Sequence, residues 1–215
     1  METLAFGHGG LPLLVFPTSQ GRFYQWEDFG MVEALADKID AGSTRLVCVD
    51  SVDEESWYAN WKRPGDRVRR HLDYERYLLE EVIARLPDRP VGVGTSFGAF
   101  HAVLLALRHP WAVRGFVGMS GAYSTRHWLD GYFDQEVYFT DPISFLPGLG
   151  DECYLGPLRE MEKKVVATGE GDPNVEESKR VAGLMQAKGL DVWLDVWQGW
   201  AHDWPYWKEM IRKYV

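Results

Sequence analysis

The chain has 215 residues, 46% of them apolar and 26% charged, with 32 acidic side chains against 23 basic ones. That length fits one domain, residues 1–215, with a full hydrophobic core. The net charge of −9 argues against nucleic acid and anionic membrane as partners, and no apolar run reaches the ~18 residues of a membrane span.

The first ten residues, METLAFGHGG, lack a basic stretch followed by a long apolar one, so no secretory leader is expected. Cys48 and Cys153 are the only cysteines. Nothing requires them to pair, and a reduced, cytoplasmic setting is the default. No CxxC or HExxH spacing occurs, so neither a metal nor a cofactor is expected.

In chain order, METLAF and LPLLVF (Leu11–Phe16) read as strands joined by GHGG, which predicts an antiparallel hairpin. RLVCV (Arg45–Val49) is a further strand, followed by Asp50 and Ser51. YERYLLEEVIARL (Tyr74–Leu86) sets Tyr77, Leu78, Val82 and Leu86 on one helical face. His71, just before it, is expected to face solvent. A strand from Pro90 to Val93 leads into a helix from Phe97 to His109 that is apolar almost all round, as a buried helix is. Arg114–Met119 is the next strand. Residues 120–160 hold no clear periodic element but several aromatics, including Trp128, and read as a cap over a pocket. Lys164–Ala167 and Val192–Trp197 are strands, Glu176–Ala187 and Trp204–Tyr214 helices. Strands alternating with helices predict an α/β three-layer fold with a mostly parallel sheet.

The stretch VGVGTSFGAF carries a Gly-x-Ser-x-Gly motif centred on Ser96. It follows a strand and opens a helix, the setting in which such a motif has a mechanism. A serine on so tight a turn needs neighbours without side chains, which Gly94 and Gly98 supply. The helix N-terminus directs free N–H groups and positive dipole at the same spot.

A serine hydroxyl needs a base, usually a histidine oriented by a carboxylate. Among six histidines, His202 lies in the loop between the last strand and the last helix, where the base of a Ser–acid–His order falls. His8 sits in the hairpin turn and His127 in the cap-like stretch. His101 and His109, on the helix after Ser96, read as packing or capping residues. For the carboxylate, Asp172 sits in a Gly-Asp-Pro turn after the strand ending at Ala167; Glu170 and Asp130 are the alternatives.

With these residues in place, the chain resembles the α/β-hydrolase superfamily, and more narrowly the esterase family of esterase D-type enzymes and mycolyltransferases. The resemblance rests on Gly94-Thr95-Ser96-Phe97-Gly98, on Gly169-Glu170-Gly171-Asp172, and on Gly199-Trp200-Ala201-His202-Asp203-Trp204. It implies a serine hydrolase that cleaves a carboxylic ester or thioester of a small molecule through an acyl-enzyme. It implies an oxyanion hole of two backbone N–H groups. One belongs to Phe97, the other to the loop Phe16–Arg22, assigned to Ser19 with Thr18 or Gln20 as alternatives. That loop, PTSQG, departs from the family's glycine-rich or His-Gly pattern, and the first strand of the larger family sheet has no counterpart, so a minimal fold is expected.

Trp204 and Trp128 join Thr18 and Gln20 as candidate substrate-binding residues, since aromatic walls suit an apolar acyl or aryl group. Trp193, Trp197 and Trp207 fit a core role equally well. An exposed strand edge allows a homodimer. Acyl transfer or peptide hydrolysis by the same residues, and a binding module with an idle triad, are the competing functions.

Overall fold

A computed structural model describes residues 1–215. Seven strands form one sheet: β1 (Thr3–Phe6), β2 (Leu11–Phe16), β3 (Thr44–Val49), β4 (Val91–Thr95), β5 (Gly115–Met119), β6 (Lys163–Gly169) and β7 (Trp193–Trp197). Their order across the sheet is β1-β3-β2-β4-β5-β6-β7. Every neighbouring pair is parallel except β1 and β3.

The antiparallel strand at the N-terminus is therefore present, but its predicted pairing needs correction. β1 and β2 are consecutive and do not pair with each other. β3 lies between them, antiparallel to β1 through Thr3–Val49 and parallel to β2 through Leu11–Thr44. The GHGG segment is a bridge across one strand rather than a hairpin turn. Gly10 has φ +76, and a Cβ there would fall 2.3 Å from the Ser43 carbonyl oxygen, so the bridge runs directly against the start of β3.

Ten α-helical segments cover the sheet. α1 (Gln25–Asp28), α2 (Met31–Ala34) and α3 (Ala36–Asp40) are short turns between β2 and β3. α4 (Pro64–Tyr77) and α5 (Phe97–Arg108) flank β4 in sequence. α6 (Gln135–Thr140), α7 (Pro142–Phe145) and α8 (Glu152–Glu160) lie between β5 and β6, and α9 (Val175–Ala187) and α10 (Trp204–Tyr214) complete the set. No helix is long and apolar enough to cross a membrane.

Alternation along the strands divides the core in two. In β2, Leu14 and Phe16 join the larger cluster with residues of α4, α5 and α9. Leu13 and Val15 join the smaller one with Trp26, Met31 and the apolar face of α10: Trp207, Met210, Ile211 and Tyr214. α5 has no polar face because it sits under the segment 120–160 as well as on the sheet; every residue from Phe97 to Leu107 is buried.

Two stretches differ from the sequence expectation for identifiable reasons. The helix expected from Tyr74 begins at Pro64, whose fixed φ suits a first helical turn, and widens into a π turn at Leu78–Val82. Residues 120–160 contain α6, α7 and α8, each opened by an aspartate side chain that accepts a backbone N–H: Asp134 from Val137, Asp141 from Ser144 and Asp151 from Cys153. Such short helices hold too few turns to show an apolar period. Cys48 is buried and Cys153 exposed, and both are unpaired.

His71 is a further correction. It is 3% exposed, not solvent-facing. Its ring packs between Trp57, Phe100 and His101, and neither nitrogen has a hydrogen-bond partner. Burial, and secondarily the neighbouring His101, push its pKa down to about 3. The unfolded chain therefore binds a proton that the folded chain refuses. Stability contributed by neutral His71 is complete above the ordinary histidine range and is lost as pH falls toward about 3. His71→Phe is expected to remove a loss of a few kcal/mol between about pH 6 and pH 4, measurable by urea unfolding at both pH values.

Candidate active site

Six parallel strands send six carboxyl ends to one edge of the sheet. The loops after β2, β3, β4, β5, β6 and β7 gather there, where ligands of parallel α/β sheets bind.

The turn from β4 into α5 stands at the centre. Ser96 has φ 55 and ψ −123, a conformation that costs a non-glycine residue about 1–3 kcal/mol. Two hydrogen bonds hold it: the Ser96 N–H donates to the Met119 carbonyl at 2.8 Å, and the Ala99 N–H donates to the Ser96 carbonyl at 3.1 Å. The flanking glycines are sterically required. A Cβ on Gly94 would lie 2.2 Å from the carbonyl group of Gly98, and one on Gly98 would lie 2.5 Å from the carbonyl oxygens of Phe16 and Pro17. These are backbone atoms, which no rotamer change can clear.

His202 reaches this turn from the loop before α10. Its Nε2 is 3.0 Å from Ser96 Oγ, and its Nδ1 is 3.0 Å from Asp172 Oδ2. The imidazole stands edge-on to Trp207, with ring centroids 4.8 Å apart. Asp203 caps α10 with a side-chain bond to the Trp204 N–H, which ends the loop one residue after His202.

Asp172 is buried in the turn after β6. Burial alone would raise its pKa. Hydrogen bonds from His202, from the Ser120 hydroxyl and from the Asn174 N–H (2.7 Å to Oδ1) outweigh that cost and hold the carboxyl below its ordinary value of 3.8. Asp172 is therefore ionised across the neutral range and suited to orient an imidazole.

Two partners in this chain of contacts were missed from sequence. Ser120, at φ 58 directly after β5, accepts the Trp207 indole N–H at 2.9 Å and is among the groups that hold the Asp172 pKa down. Asn174 donates its side-chain amide to the Ser120 carbonyl at 3.0 Å. The available signal for Ser120 was its place at the carboxyl end of a predicted strand. The alternatives to Asp172 lie elsewhere: Glu170 is exposed beside the Gly199 N–H, and Asp130 is exposed and turned toward Arg67 at 3.7 Å. His8 lies against the Gly42 turn, and His127 is exposed, its ring against Trp128.

The loop after β2 lies against the start of α5. Three of its N–H groups are engaged: Thr18 to Gln25 Oε1 (2.8 Å), Gln20 to Asp53 Oδ2 (3.0 Å) and Gly21 to the Thr18 carbonyl (2.9 Å). The Ser19 N–H makes no hydrogen bond. Phe97 opens α5, so its N–H has no carbonyl within the helix to meet. Thr18 Oγ1 is tied to Gln25, whereas the Gln20 side chain is exposed. The Trp128 ring sits 4.7 Å from that of Phe97, and Trp204 stacks on Phe29 at 4.5 Å.

The family model described as alpha/beta hydrolase fold matches residues 12–213. The chain belongs to the α/β-hydrolase family. Among solved structures, an S-formylglutathione hydrolase from Agrobacterium tumefaciens superposes with a TM-score of 0.71 at 13% identity, over 96% of this chain and 83% of that one. A ferulic acid esterase gives 0.66 at 16% identity, over 96% and 83%. Mycobacterium tuberculosis MPT51 gives 0.62 at 14% identity, over 97% and 88%. At such identities the similarity is one of fold. No curated protein matches the sequence significantly.

As an α/β hydrolase of this geometry, the protein depends on its glycine turn before any chemistry begins. Gly94→Ala is expected to destabilise it by at least about 3 kcal/mol, read as a lowered urea midpoint.

Proposed function

We propose that the protein is a serine hydrolase that cleaves carboxylic esters of small molecules by way of an acyl-enzyme. The observation that carries this reading is the continuous Ser96–His202–Asp172 contact, 3.0 Å at each step, on a strained turn at a helix N-terminus.

In this reading His202 Nε2 takes the Ser96 proton as Oγ attacks the ester carbonyl carbon. Asp172 holds the imidazole through Nδ1–H and stabilises the imidazolium that forms. The carbonyl oxygen becomes an oxyanion, which accepts hydrogen bonds from the N–H groups of Phe97 and Ser19. Collapse expels the alcohol, which takes the proton from His202. Water, deprotonated by His202, then attacks the acyl carbon, and His202 returns that proton to Ser96 Oγ as the acid leaves. Trp128, from the segment 120–160, packs on the ring of Phe97 alongside the loop residue Tyr58, so this segment serves as a cap beside the nucleophile. Both a thioester hydrolase and an ester hydrolase share the fold, so the assay set includes S-acyl and O-acyl compounds.

The test needs no knowledge of the substrate. A fluorophosphonate probe is expected to label Ser96, identified by peptide mass spectrometry, and Ser96→Ala or His202→Ala is expected to abolish labelling. Both variants should lose at least about a thousand-fold in ester turnover while melting cooperatively. Absence of an adduct on folded protein would overturn the hydrolase reading in favour of a binding module.

A protonated imidazole cannot accept the serine proton. Acylation is therefore expected to slow in acid, seen as a single-proton fall in the pH dependence of kcat/KM. A flat profile would contradict His202 as the base.

A further inference from the structure

We propose that Asp53 is a positioning residue for the reaction proposed above, on which this inference rests: it anchors the loop after β2 so that the Ser19 N–H is directed at the oxyanion. Asp53 lies just beyond β3 in a short 3₁₀ turn, Asp53–Glu55, and is fully buried. The N-cap position of that turn belongs to Val52, so the Asp53 side chain is not spent on capping it. It reaches instead to two distant segments. Oδ2 accepts the Gln20 N–H at 3.0 Å, and Oδ1 meets His101 Nε2 at 3.0 Å.

The two contacts join the two sides of the site. His101 is on α5, five residues after Ser96, and is itself buried against the rings of Phe16 and Phe97. Gln20 follows Ser19. One carboxyl group thus ties the β2 loop to the helix that carries the nucleophile, in a setting closed to water. Gln20 has φ 56, a left-handed conformation that a residue with a Cβ adopts only when something holds it. The bond to Asp53 is that restraint. Tyr58 adds a second one, since its N–H donates to the Asp53 carbonyl and its hydroxyl donates to Ser19 Oγ at 2.9 Å. Thr18 and Gly21 are also bonded, so within Thr18–Gly21 Ser19 alone keeps a free N–H, and it is the residue held between two anchored neighbours.

This argues for a role in the transition state rather than in substrate affinity. An oxyanion donor acts when charge develops on the carbonyl oxygen, and loss of one costs about 10²–10³ in kcat. Asp53→Leu removes the acceptor at similar size; Asp53→Asn keeps an acceptor for the Gln20 N–H. Asp53→Leu is expected to lower kcat about 100-fold with KM unchanged. It should weaken a trifluoromethyl ketone inhibitor, whose adduct carries the oxyanion, by a similar factor. Asp53→Asn should recover most of both. A folded Asp53→Leu protein with wild-type kcat and ketone affinity would overturn the proposal, as would Asp53→Asn impaired to the same degree as Asp53→Leu.

The wild-type protein offers a test that needs neither variant nor turnover. By NMR hydrogen exchange, the Gln20 amide is expected to be protected and the Ser19 amide to exchange rapidly. Equal exchange of the two would overturn the anchoring role even if Asp53→Leu fails to fold. If the wild-type protein takes no fluorophosphonate label, the hydrolase reading falls, whereas protection of Gln20 would still support Asp53 as the anchor of the loop.

Discussion

The site depends on one steric constraint, the near-contact of three backbone segments where β4 turns into α5. Gly94 faces the carbonyl of Gly98, and Gly98 faces the carbonyls of Phe16 and Pro17, at separations that leave no room for a Cβ. That closeness holds Ser96 in a left-handed conformation and brings the loop after β2 against the first turn of the helix. The candidate nucleophile and the candidate oxyanion donors are thus placed by the same contact. Hydrogen bonds to Met119 and from Ala99 keep the strained residue where the packing puts it.

The parallel sheet supplies the rest. Residues far apart in sequence meet because each follows a strand that ends at the same edge: Ser19 after β2, Asp53 after β3, Ser96 after β4, Ser120 after β5, Asp172 after β6 and His202 after β7. Trp207 then links the set to the packing of α10, with its indole N–H on Ser120 and its ring edge-on to His202. Such an arrangement tolerates wide sequence change, consistent with fold-level likeness to hydrolases and esterases at 13–16% identity.

Much of this was legible without coordinates. The strand–glycine–serine–glycine–helix pattern is contiguous, so local sterics announce it. Asp172 and His202 each follow an apolar strand in the order a Ser–acid–His site requires, and in the structure they meet each other and Ser96. The short helices between β5 and β6 were not legible, because a helix of one or two turns shows no period and its aspartate cap resembles any turn aspartate. His71 was misread because a charged neighbourhood suggests solvent, whereas Trp57 and Phe100, which bury it, come from other parts of the chain.

By itself, the sequence determined the alternating layers, the glycine turn and the residue types that follow each strand, since these depend on neighbours within a few positions. Only the tertiary structure decided which strands pair. β3 separates β1 from β2, although the glycine-rich link between them suits a hairpin, because β3 presents a hydrogen-bonding edge to each. Only the tertiary structure placed Ser120 beneath Asp172 and Asp53 between Gln20 and His101. Those contacts span 33 to 52 residues of chain, and a single side chain's choice of partner at that range follows from the packing of whole elements, not from any local pattern.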